Sequence, residues 1–190
     1  MGYGVMPYAV KLDALRSMAG SKDAGFMNSV RLRVEDDDED DAKTAAECNR
    51  QLIMGLAEGE SYESSCSHKY YYVLECWCDA FGHFLTNWNH SPMRYSWFDT
   101  IQEKVKESGF KVTLPGDLIY RYDILKGLPT PADFPCVGTL ELAKMPKISS
   151  ILKNNIAKVK DSNVQDALKE YHGWLEHCIE AKTDLVLCYY

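Results

Sequence analysis

Residues 66–83 read CSHKYYYVLECWCDAFGH, with three cysteines and two histidines in one short stretch. Thiolates and imidazoles ligate zinc and serve as nucleophile and base in covalent catalysis, so chemistry is sought here first. Geometry decides whether they can act together. At about 100° per residue, Tyr70, Val73, Leu74, Trp77, Phe81, Phe84 and Leu85 share one arc, which predicts a helix from Lys69 to Leu85. On a helix, Cys76 and Cys78 point roughly 160° apart and cannot chelate one ion. On a strand they would share a face, so the objection rests on the helix. Tyr72, Cys76, Asp79 and His83 form a polar stripe, but two turns, about 10 Å, separate Cys76 from His83. The stretch is read as a central helix, with Cys78 bordering its core arc and the stripe a solvated face or a contact with a neighbouring helix.

The remaining reactive residues give no stronger pattern. His172 and His177 do not have the spacing of HExxH, and His172 with Glu176 reads as a surface pair. GxSxG, Walker A, GxGxxG and the EF-hand pattern are absent. No catalytic residue, metal site or cofactor is expected, and the reading leans away from an enzyme.

Asn87-Trp88-Asn89-His90, followed by Arg94 and Trp97, breaks the helical pattern. Loops carry binding residues on a rigid scaffold, and the Arg94 fork suits a carboxylate or phosphate. Trp88, His90, Arg94 and Trp97 are therefore candidate ligand-binding residues. The other reading makes Trp88 and Trp97 caps on the core and puts Arg94 in an internal ion pair.

The second candidate is EDDDEDD: Glu35, Asp36, Asp37, Asp38, Glu39, Asp40 and Asp41. The chain has 28 acids against 21 Lys and Arg, so this run accounts for the net charge of −7. Elsewhere the charges balance, no basic surface is implied, and neither nucleic acid nor an acidic membrane is an expected partner. Like charges so dense predict a solvated loop over about 35–43. It could hold a hard cation weakly, but it lacks the glycine turn and spaced ligands of a dedicated site. It is taken as a partner-binding element suited to a basic protein surface.

The chain of 190 residues, 46% hydrophobic, suffices for one core and is short for two domains. The start, MGYGVMPYAVKLD, has no leader pattern, and no run approaches the ~18 apolar residues of a membrane span. The seven cysteines include no CxxC pair and are read as reduced thiols in a cytoplasm. Tyr3–Val10 reads as a strand that Pro7 assigns to an edge or end. Helices are expected over Lys11–Met18, Asp23–Val34, Thr44–Gly55 (from a Thr44/Glu47 capping box), Arg94–Glu107, Leu140–Lys160 and Asn163–Lys182. Short strands are expected at Lys111–Leu114 and Leu118–Ile124, and an ordered loop at Leu128–Gly138. The terminal DLVLCYY is apolar and β-prone, a strand able to pair with the first one. The expected fold is α+β: a single, mostly helical domain, residues 1–190, with a small sheet that includes both termini.

Several segments together resemble an uncharacterised bacterial family catalogued as a domain of unknown function. They are GYGVMPYAVKLDAL, LIMG at 52–55, YYYVLECWCDAFGHFL, SPMRYSWFDT, LPTPADFPCVGTL and the terminal DLVLCYY, spread in order over nearly the whole chain. The resemblance implies a single bacterial domain and carries no assigned reaction. The function expected is that of a soluble cytoplasmic interaction or accessory protein, an inhibitor or immunity-type protein being one member of that class. The alternative is a small enzyme or ligand-binding domain with its pocket near Trp88, His90, Arg94 and Trp97.

Overall fold

A strand such as DLVLCYY, apolar at consecutive positions, is stable only when covered on both faces. The structure, a computed structural model that describes residues 3–32, 39–56 and 60–190, places it so. The terminal strand and the first strand, β1 (Val5–Val10), pair antiparallel from Val5↔Tyr189 to Val10↔Asp184. Two short strands flank them: β2 (His83–Phe84) beside β1 and β3 (Cys136–Leu140) beside the terminal strand, β4 (Asp184–Tyr189). The sheet order is β2-β1-β4-β3, antiparallel throughout.

Alternate residues of β4 enter two cores. Leu185, Leu187 and Tyr189 pack with α5 (Ser96–Glu107), α6 (Met145–Asn155) and α7 (Ser162–Ala181). Val186 and Cys188 pack with α1 (Leu12–Met18), α3 (Glu39–Met54) and α4 (Ser67–Phe81). Between α1 and α3 lies the short α2 (Ala24–Ser29), begun by the Asp23 side chain accepting from Phe26 N. The sheet thus lies between two helical layers, in the expected α+β class with both terminal strands in the sheet.

Several elements differ from expectation. The helix α3 starts at Glu39 and not at Thr44, so 39–43 are helical rather than loop. Acids in a first turn are favoured by the positive end of the helix dipole, so Asp40 and Asp41 suit a helix start as much as a repulsive run. Thr44 is interior and donates through Oγ1 to Asp40 O at 2.8 Å. Glu35–Asp38 lie outside the described residues. No strand forms at 111–114 or 118–124; a 3-10 turn at Pro115–Asp117 and further turns occupy this region. The 118–122 segment instead covers the outer side of β3, with Tyr122 N donating to Val137 O at 2.9 Å. Cys136–Leu140, read as loop and helix start, forms β3 itself, and α6 begins only at Met145.

Gly138 permits that cover. A β-carbon there would lie 1.8 Å from Leu118 O, a backbone atom that cannot rotate away. Gly138→Ala is expected to destabilise the fold by about 3 kcal/mol, the upper end of the usual over-packing cost, measured as a shift in urea midpoint. A loss below about 1 kcal/mol would mean that the covering segment can retreat without cost.

Candidate functional site

The site begins with Pro7. A proline has no N–H, and in an antiparallel strand the N–H and C=O of one residue point to the same side. The outer side of β1 at Pro7 therefore offers an acceptor and no donor. There β2 stops, having paired only with Tyr8 and Ala9. The chain continues along β1 as a loop: Leu85 N donates to Pro7 O at 2.9 Å, and His90 O accepts from Val5 N at 2.8 Å. Between these anchors β1 advances two residues while the loop advances five. The surplus residues must bulge outward, and Trp88 lies on the bulge.

Every neighbour of Trp88 is tied down. Asn87 Nδ2 donates to Val5 O at 2.7 Å, and His90 N to Asn87 O at 3.0 Å. Trp174 of α7 donates through Nε1 to Thr86 O at 2.6 Å, and Trp97 of α5 to Asn89 O at 3.1 Å. Glu170 of α7 accepts from Asn89 N at 2.9 Å, and its Oε2 lies 2.9 Å from His90 Nδ1. An ionised carboxylate can only accept, so Nδ1 carries the proton. His90 is 1% exposed and packs its ring 4.7 Å from that of Trp174. Trp77, in the opposite core, donates to Asn49 Oδ1 at 2.8 Å. Of the four tryptophans, three thus have bonded indoles, while Trp88 stands 83% exposed.

The four predicted ligand-binding residues do not converge on one cavity. Trp88 points to solvent, His90 is a buried strut, Trp97 is half-buried and holds the loop, and Arg94 is exposed. An open cleft of about 560 Å³ does adjoin the loop, but its walls include Leu85, Thr86, Asn89, Glu170, Trp174 and His177 and none of the four. Glu170 and Trp174 were not singled out in sequence; His90 marks Glu170 only through a contact spanning 80 positions.

The Cys/His stretch is a helix, and its reactive residues disperse. The helix stops at Phe81 and the chain turns into β2 at Gly82, a close approach that requires glycine, since a β-carbon there would lie 2.6 Å from Ala9 O. His83 is therefore on a strand, with its ring stacked 5.4 Å from that of His177. Tyr72 stacks on Tyr190 at 5.4 Å. Cys78 is buried in the core as expected, but Cys76 and Glu75 on the opposite side are buried too, Glu75 accepting from Tyr8 Oη at 2.6 Å. A helix covered by α3 on one side and the sheet on another has little solvated face. The seven cysteines form no disulfide and all but Cys66 are buried. Burial pushes Cys48 up to about 12, Cys178 up to about 11 and Cys78 well above the ordinary thiol value, the opposite of what a thiolate nucleophile needs. Among the described residues no group of three His, Cys, Asp or Glu side chains could hold a metal ion. His172 meets Glu176 across one turn at 3.9 Å, with the Ser149 hydroxyl bonded to both.

In the acidic run, Asp41 is half-buried and forms an ion pair with Lys69 of α4, so it ties two helices together. Asp40 pairs with Lys43 at 3.8 Å on the surface.

Fold and site together define a three-layered α+β domain that displays one anchored, tryptophan-tipped loop; among the described residues no helix is long and apolar enough to cross a membrane. The family model described as a domain of unknown function, DUF7691, matches residues 1–190, and the chain belongs to that family. None of the curated proteins and none of the solved structures compared with the chain matches it.

Glu170 is the point at which the loop is fastened. Glu170→Ala is expected to cost about 3 kcal/mol of stability, because it strands the buried His90 N–H and the Asn89 N–H together. Hydrogen exchange at 86–90 should rise with it. Unchanged exchange in that segment would show that the loop is held by its other bonds alone.

Proposed function

We propose that this chain works by binding another protein, as an interaction or accessory domain, with Trp88 as its anchor. The exposed Trp88 indole on a fully anchored loop is the observation that carries this reading. An indole left in water forfeits a large apolar burial, and tryptophan is enriched among the residues that dominate interface energies. A loop already ordered loses little conformational entropy on docking, so more of the contact energy appears as affinity. Phe84, also exposed, precedes the loop on β2. The burial of His90 away from solvent suits a positioning role better than proton transfer to a substrate.

The partner we favour is basic, because the net charge of −7 stems from residues 35–41 and steers association with an oppositely charged surface. An inhibitor that occupies a basic partner is one form this takes, in a soluble cytoplasmic setting. The cleft beside the loop supports a ligand-binding domain as the second reading, with Asn89, Glu170 and Trp174 as its contacts.

Affinity capture from the native host, followed by titration of the captured protein, tests the proposal. Trp88→Ala should weaken the complex by about 30-fold or more, as expected for a hot-spot residue, with an unchanged melting temperature. Equal affinity for both forms would remove Trp88 from the mechanism.

A further inference from the structure

A second concave surface lies away from the Trp88 loop. It has a volume of about 690 Å³ and lies between residues 111–121 and the start of α6. Lys111, Arg121, Lys144 and Lys147 line it, from three separate parts of the chain. Lys144 pairs with Glu141 at 3.0 Å, both largely exposed. Among the described residues, Lys111, Arg121 and Lys147 have no carboxylate within ion-pair distance. The one acid in the lining, Asp117, already accepts from Leu114 N at 2.8 Å. Four cations against the carboxylates of Asp117 and Glu141 thus leave a formal excess of two positive charges at one concavity of a chain with net charge −7.

Contrast makes the feature specific. A smaller cleft of about 390 Å³ holds Lys104, Lys158 and Lys160, but there Glu107 takes Lys104 at 2.9 Å, Asn155 Oδ1 takes Lys158 at 2.7 Å, and Asp161 shares the lining. There three lysines meet the carboxylates of Glu107 and Asp161, a formal excess of one positive charge, against two in the larger cleft.

We propose that this cleft is a binding site for a small amphipathic anion, a phosphate monoester attached to an aliphatic body. Arg121 offers a planar fork that matches two oxygens of a phosphate, and Lys111 and Lys147 supply point charges for its second negative charge. Apart from Thr113, the rest of the lining, Val112, Leu140, Ala143, Ile148 and Ile151, is aliphatic with no aromatic ring, which suits an aliphatic body better than a base or other flat group. The volume lies within the range of small-ligand sites, roughly 300–1,000 Å³.

The probe is n-hexyl phosphate, titrated calorimetrically into the whole protein at low salt. Saturable binding is expected, weakening as salt is added. R121A/K147A should weaken it at least 10-fold; both residues are on the surface, so the fold is retained. K158A/K160A should leave it unchanged. Hexanol should not bind, and inorganic phosphate should bind at least 10-fold more weakly than the hexyl ester. No saturable binding of hexyl phosphate, or equal binding by R121A/K147A, overturns the site. Equal affinity for inorganic phosphate overturns the aliphatic part of the proposal. All readouts are independent of the Trp88 interaction.

Discussion

Pro7 carries no N–H, yet it lies within a strand whose inner side is paired along its length with β4. Its outer side can accept a hydrogen bond but not give one, and the neighbouring strand ends after two residues. Leu85 and His90 satisfy what remains of that edge. Because the loop has more residues than the stretch of β1 it spans, it must bulge. The exposed position of Trp88 is a consequence of backbone bonding in β1, and the side chains of α5 and α7 then hold the bulge in one shape.

The doubly covered sheet supplies the rigidity behind this. Consecutive residues of β4 enter opposite cores, so β4 cannot slip by one residue without exchanging the two sets. Register in β4 fixes β1, and β1 fixes the loop. The same pairing brings α7, which bears Glu170 and Trp174, to the site through the short turn that joins it to β4.

Elements with strong local signals were legible in the sequence: the terminal strand, the long α7, and the apolar arc of α4, although the helix ends at Phe81 and not at Leu85. Those that depend on distant partners were not. β3 is five residues with a glycine in the middle, and only its pairing with β4 makes it a strand. Residues 118–122 are β-prone, but turns bend them across the edge of β3. In the site, the break after the central helix marked the loop that carries Trp88 and His90, since Trp and His there stood outside any periodic pattern. The roles of its residues were not legible: His90 is buried because Glu170 meets it from far along the chain. The basic cleft is invisible to composition, where balanced totals hide cations drawn together from positions 111 to 147.

The four indole N–H groups allow a direct test of the central claim, that the Trp88 loop is the contact surface. Three are bonded inside the protein and one is displayed. In a nitrogen–proton correlation spectrum of tryptophan-labelled protein, addition of the captured partner should shift or broaden the Trp88 indole signal first and most. The buried Trp77 indole should stay in place. A complex that forms while the Trp88 signal remains unchanged would contradict the account.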